Sequence, residues 1–390
     1  MGRRIYLDNG ASTAVDPAVV KEMLPYFAER FGNPSSLHSD GREARAAVDD
    51  ARAKIAASMG ARPEELIFTS GGTESNNLAI KGVAYANRNK GKHIIVSAIE
   101  HDCVMNSCRW LESQGFEVTY LPVDKSGLVD PAQLGAAIRK DTVLVSVMHG
   151  NNEIGTVQPI AEIGRICKER GTYFHTDACQ SFGKLEVDVK KQSLDLATIN
   201  AHKIYGPKGV GALFVREGTE ISAWQYGGGH EFGMRSSTEN VPGIVGFGKA
   251  VELCYDGMEG ESARLAVLRD MIIDRVSEEV GYAYLNGHRT VRLPNNVNFG
   301  FSGFEGEAIK LMLQLDDLGI SVSTGSACSS NQEENKPSHV LMAIGLNPVE
   351  ARGALRVTPG RYSTKEDVEA FLEALPKALG SLRSISSMSR

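Results

Sequence analysis

The residues most able to do chemistry in this 390-residue chain sit just after runs that read as β-strands. Lys203 follows His202 and stands three residues before Gly206-Pro207, a pair that stops a helix at once. An amine fixed at such a point forms a Schiff base with a carbonyl when burial or neighbouring cations lower its pKa, although most lysines are solvated surface charges. Asp177 closes the run TYFHTD (172–177), so its carboxylate can face a crevice, where it needs a cationic partner to stay ionised. On its own it reads more readily as an ordinary helix cap. GGTESNN (71–77) follows another run. Its two glycines allow close backbone approach, and a helix N-terminus there favours an anion. It lacks the GxxxxGK[ST] pattern of a nucleotide loop. His101 follows HIIVSAIE (93–100), where an imidazole can stack on a ring and shuttle protons. Cys328 lies in STGSACSSN (323–331), among small and polar residues that build no core. A thiol placed there is a candidate nucleophile or metal ligand.

These residues are placed by a regular alternation. Short β-branched runs recur at 65–70, 93–98, 117–121, 142–148, 172–177, 196–200 and 211–215, with helical stretches at 73–89, 102–114 and 160–170. Nearly all-apolar strands alternating with helices read as a mostly parallel sheet covered on both faces. Such sheets bind ligands beyond the carboxyl ends of their strands. A long helix is predicted over 41–60, two more over 241–257 and 261–280. From about 290 a smaller α/β unit follows, with strands at NNVNFGF and ALRVT and helices over 306–317 and 365–379. The polar stretch 323–336 reads as a long functional loop. We therefore expect a large domain over 15–260, and a small one from 1–14 and 261–390 that carries the cysteine loop.

Composition narrows the partners. A net charge of −6 argues against a broad nucleic-acid or anionic-membrane surface. No apolar run is long enough to span a bilayer and no signal-peptide pattern opens the chain, so a cytoplasmic setting is expected. The cysteines at 103, 108, 167, 179, 254 and 328 form no CxxC pair, which suits reduced thiols. His101, Cys103 and Cys108 cluster without the paired spacing of zinc sites. His93, His149 and His288 read as structural.

Taken in order, an anion cradle, an Asp at a strand end and a Lys after a later strand are the parts pyridoxal phosphate requires. At this point the chain resembles a family. YLDNGAST, FGNPSSLH, FTSGGTESNNLAIKG, EHDCV, MHGNNEIGTVQPI, HTDACQSFGK, AHKIYGPKGVGAL, GGGHEFGMRSSTENV, STGSACSS and ALRVTPGRYST are similar, in order and over essentially the whole chain, to cysteine desulfurases of the NifS/IscS type. These are fold-type-I pyridoxal-phosphate enzymes of the class V aminotransferase group. The resemblance implies removal of sulfur from L-cysteine, giving L-alanine and a persulfide on Cys328. The persulfide would pass to an iron–sulfur scaffold or another acceptor protein. Lys203 would hold the cofactor, Asp177 its ring nitrogen and Gln180 its phenolic oxygen, with His101 against the ring. Gly72, Thr73 and His202 would hold the phosphate, and Thr238 would reach the phosphate of a neighbouring subunit in a homodimer. Asn152 and Arg356 would hold the substrate carboxylate, Arg because its planar fork bonds both oxygens. No resident metal is implied, though Cys328 could transiently ligate a cluster. Asn200, where many relatives have Ser, and Ser237, where many have Gly, depart from the pattern. A selenocysteine lyase, or another class V lyase or transaminase, is the alternative.

Overall fold

The computed structural model describes residues 4–324 and 337–388. Seven strands form the main sheet, in the order Leu66–Thr69, Gly211–Val215, Leu196–Asn200, Tyr173–Asp177, Thr142–Ser146, His93–Ser97 and Glu117–Leu121. The expected mostly parallel character holds, with one difference. Gly211–Val215 runs antiparallel to both of its neighbours, while every other junction is parallel. The strands Leu66–Thr69, His93–Ser97, Thr142–Ser146 and Leu196–Asn200 are buried at every position, which is why they read as continuous rather than alternating apolar runs.

Helices cover both faces. On one side Phe174, Phe182 and Phe247 anchor a core shared with the helices Ser39–Ser58, Ile160–Arg170 and Val241–Tyr255. Ser39–Ser58 and Val241–Tyr255 approach closely because small residues meet. A Cβ on Gly248 would lie 2.9 Å from Ala51 Cβ. On the other side Leu78, Ile80, Val104 and Leu111 pack from the helices Gly72–Ala86 and Asp102–Ser113. Ile160–Arg170 ends as its sequence implies, at Gly171 in the left-handed region (φ +68°).

A second core lies in the C-terminal part. Four antiparallel strands run in the order Ser323–Thr324, Leu355–Val357, Val297–Phe301 and Ala283–Leu285. They pack Phe299 and Leu355 against Leu268 and Ile272 of Met258–Glu279 and against Phe371 and Leu379 of Lys365–Met388. The N-terminus joins this part, because Ile5–Tyr6 pairs in parallel with Ile320–Ser321 and Leu7 enters the same core. Lys365–Met388 is longer than the predicted 365–379. It continues through Pro376 because Ala378, Leu379 and Leu382 prolong its buried face. The first helix after the sheet opens is Gly72–Ala86 rather than 73–89, and the predicted 306–317 helix is Ala308–Asp317. Among the described residues no helix is long and apolar enough to cross a membrane.

Candidate active site

Beyond the carboxyl ends of Leu66–Thr69, Tyr173–Asp177 and Leu196–Asn200 lies a cavity of about 230 Å³, and residues that follow these strands line it. Its anion cradle is made by two glycines for different reasons. Gly71 has φ +153°, which a side chain disfavours, and a Cβ on Gly72 would lie 2.6 Å from Cys179 Sγ. Gly71 is the helix cap and has no side chain to satisfy the first-turn N–H groups. Thr73, the second residue of the helix, is exposed. Glu74 in the same turn instead accepts the Ser70 N–H at 2.7 Å and pairs with Arg235 Nε at 2.6 Å.

Asp177 is buried at the end of its strand with both carboxylate oxygens held. Oδ1 accepts the Cys179 N–H at 2.9 Å, and Oδ2 accepts from Asn76 Nδ2 at 2.7 Å. Asn76 Nδ2 also lies 3.1 Å from Cys103 Sγ, which lies 3.1 Å from His101 Nδ1. His101 caps the helix Asp102–Ser113, its Nδ1 accepting the Cys103 N–H at 3.2 Å. A polar chain thus runs from the imidazole to the carboxylate. Because Nδ1 accepts a backbone N–H, the neutral ring carries its proton on Nε2.

Lys203 reaches across the cavity floor to the N-terminal segment. Its Nζ donates to the carbonyls of Gly10 and Ala11, the latter at 2.8 Å, and Gln180 Nε2 donates to the same Gly10 carbonyl at 3.0 Å. His202 Nδ1 lies 3.3 Å from Ser12 Oγ. Burial and the Lys203, Lys208 and Lys184 charges push its pKa down to about 4, so the ring is neutral at pH 7. The buried Arg356 donates through Nη2 to Asp8 Oδ1 and through Nη1 to the Asn152 carbonyl, both at 3.0 Å. Two carboxyls sit behind the site. Burial raises Glu100 to about 8 and Glu153 to about 7.

Every residue that the resemblance assigns to the cofactor or substrate lines this cavity except Thr238 and Cys328. Thr238 is exposed on a segment outside it. Cys328, with its loop from residue 325 to 336, lies outside the described residues. Asn76, Cys179 and Met148 line the cavity without having been singled out, as do Gly10 and Ala11, and so does Cys103 of the histidine–cysteine cluster. Asn76 had a readable signal, since it lies four residues after Gly72 on the same helix face. Gly10 and Ala11 arrive from a distant segment and had none. Cys108, in the histidine–cysteine cluster of the sequence, is sealed in the core, and burial raises its thiol well above the ordinary range. His93 is structural as expected, bridging Thr142 and Thr119 at 2.7 and 2.8 Å.

This fold and cavity define a class. Residues 5–371 match the family model of the class-V aminotransferases, and the chain belongs to that family. It is 54% identical over 387 residues to "Cysteine desulfurase IscS" of Dictyoglomus turgidum, covering 99% of this chain and 97% of that protein. The structure described as "NIFS-LIKE PROTEIN" superposes with a TM-score of 0.90 at 37% identity, covering 97% of this chain and 99% of the other. "SspA in complex with cysteine" superposes at 0.80 with 40% identity, covering 92% and 100%.

The family works with pyridoxal 5′-phosphate, and the residues present fit that group. The cradle has no capping side chain, and a Gly72 Cβ would lie 3.6 Å from Asn200 Nδ2, which places the Asn200 amide beside it. The buried Oδ1 atoms of Asn76 and Asn200 and Nε of Arg356 have no hydrogen-bond partner among the described residues, so polar capacity is left over around the cavity.

Proposed function

We infer that this chain is a pyridoxal-phosphate-dependent cysteine desulfurase that converts L-cysteine to L-alanine and retains the sulfur as a persulfide on Cys328. The observation that carries the reading is 54% identity, over 99% of the chain, to a cysteine desulfurase. When bound, the cofactor supplies an electron sink that lets the α-proton and then the sulfur of an amino acid leave.

The chain's own residues do the rest. Lys203 Nζ would hold the cofactor aldehyde and would move the α-proton of the substrate. Asp177 would hold the ring nitrogen, its two oxygens fixed by Asn76 and the Cys179 N–H. Gln180 would meet the phenolic oxygen, and His101 would lie against the ring and help move protons. Gly72, Thr73, Asn200 and the neutral His202 receive the phosphate. Arg356 and Asn152 hold the substrate carboxylate. The Cys328 thiolate attacks the substrate sulfur, so an S–S bond forms as the C–S bond breaks. The bond pair stays with carbon, which Lys203 protonates. Alanine leaves and no outside oxidant is needed.

The same reading extends to assembly and setting. Thr238 serves the phosphate site of a second copy in a homodimer. Its exposure outside its own cavity supports that role. The domains are 15–260 and 1–14 with 261–390, the latter carrying the 323–336 loop. The second core and the Ile5–Tyr6 pairing support the division. The persulfide sulfur passes to an iron–sulfur scaffold or another acceptor protein in the cytoplasm, a setting that suits the five described cysteines, all free.

The test is direct. Purified, cofactor-loaded chain with L-cysteine and a thiol reductant should produce alanine and sulfide in equal amounts. Cys328→Ala should lose at least about 100-fold of that activity and keep the cofactor's visible absorbance. Sulfide release by Cys328→Ala at the parent rate would overturn the reading.

A further inference from the structure

Lys184 is a buried lysine facing main-chain oxygens. Lysine is almost never fully buried unless paired, because desolvating an ammonium is costly. Its Nζ donates to the Gln180 carbonyl at 3.0 Å and to the Lys203 carbonyl at 3.4 Å. The same two residues reach the cavity through their side chains, and both side chains donate to the Gly10 carbonyl, Gln180 at 3.0 Å. The four bonds close a ring. Lys184 grips the peptides of Gln180 and Lys203 from behind, and Gly10 receives their side chains in front. Lys184 is itself tied to the helix Met258–Glu279, because Ser262 Oγ donates to its carbonyl at 2.7 Å.

We propose that Lys184 is a positioning residue for the desulfurase reaction, its ammonium holding the Lys203 peptide in register with Gln180 and disfavouring a proton on the Lys203 nitrogen. The inference rests on Lys203 being the cofactor-holding residue. A positive charge behind a second nitrogen base favours that base's neutral form. Lys203 must be neutral to join an aldehyde and to take an α-proton. The groups facing Lys184 leave its effect in place at neutral pH. Cys179 beside Asp177 and Cys254 on the helix Val241–Tyr255 are thiols that burial holds protonated. Tyr205 is likewise held neutral, at about 12. Of the charged groups around the adjoining 300 Å³ cavity, Glu261 is paired with Arg264, and Arg361 with Asp16. His202 is neutral. Burial lowers Lys184 to about 8, so its charge, and the influence on Lys203, fades above that pH.

The experiment titrates the visible absorbance of the cofactor-loaded chain against pH, for the parent and for Lys184→Met, Lys184→Gln and Lys184→Arg, alongside cofactor retention on dialysis. Lys184→Met and Lys184→Gln should move the midpoint of the spectral transition upward by about half to one pH unit, and Lys184→Arg should restore it. Lys184→Gln keeps a donor for the carbonyls without the charge, and it decides the matter if the Met variant fails to fold. A midpoint unmoved in a folded, loaded Gln variant overturns the inference and leaves the desulfurase reading intact. A parent chain that carries no cofactor on Lys203 overturns that reading instead.

Discussion

At the scale of single residues, the cavity is organised by what each polar atom has left to offer. Arg356 spends Nη1 and Nη2 on Asn152 and Asp8, and its Nε has no hydrogen-bond partner among the described residues. A guanidinium held this firmly in a buried wall is preorganised for a carboxylate. Arg356→Lys keeps the charge but loses the fork. It should lower kcat/KM for L-cysteine by about 10- to 100-fold, mainly through KM, as expected for one or two lost charge-assisted bonds. Steady-state kinetics with cofactor occupancy measured in parallel checks this, and an unchanged KM contradicts the carboxylate role. Asp177, Lys203 and His101 were legible in the sequence because each ends or follows a strand-like run, and position at the carboxyl end of a strand carries meaning in an α/β sheet. Gly10 and Ala11 were not. Their relevance comes from contacts across 170 to 193 residues of chain, which no local pattern encodes.

At the scale of elements, the cradle depends on how closely two strands and a turn approach. Gly211 opens the antiparallel strand beside Gly71. A Cβ there would lie 2.8 Å from Gly71 Cα and 2.9 Å from the Ile199 carbonyl, both backbone atoms that cannot swing aside. Gly211→Ala should therefore cost about 1–3 kcal/mol of stability and weaken cofactor retention together, because the strain falls on the cradle itself. Denaturant unfolding and dialysis against cofactor-free buffer check it. Loss of stability with cofactor affinity unchanged would detach the cradle from this packing. The segment bearing Thr238 is held from behind by a buried ion pair. The Glu231 carboxylate accepts from Arg52 at 2.7 and 2.8 Å and from the Phe68 N–H at 2.8 Å. Glu231 and Phe232 both have positive φ, a strained backbone that these bonds hold in place. The long elements were legible from periodicity. The strands Ile5–Tyr6, Ile320–Ser321 and Ser323–Thr324 were not, since two residues have no period and such strands exist only through their remote partners.

At the scale of the whole molecule, buried titratable groups give stability two opposing slopes. Burial raises Glu100 to about 8 and Glu153 to about 7, so both are protonated in the fold over a range where the unfolded chain has released those protons. The folded state then binds more protons than the unfolded one, and stability falls as pH rises from about 4.5 to 8. His149, His175 and His202 are lowered to about 4, so the unfolded chain takes up protons first and stability falls as pH drops from about 6.5 to 4. Glu100→Gln should flatten the first slope by up to one proton, about 1.4 kcal/mol per pH unit, and leave the second unchanged. Unfolding free energies measured across pH 4 to 9 check both signs. The sheet and its alternating helices were readable across this whole molecule, because fully buried strands leave continuous apolar runs. The buried carboxyls were not, since Glu100 and Glu153 look in sequence like ordinary surface residues.

The central claim is that sulfur leaves L-cysteine through a cofactor held by Lys203 and arrives on Cys328. A single turnover without added thiol, followed by digestion and peptide mass analysis, tests it most directly. The account predicts alanine equal to the loaded chains and one added sulfur atom on the peptide containing Cys328. Alanine formed with that peptide unmodified, the sulfur on another cysteine or free in solution, would contradict it.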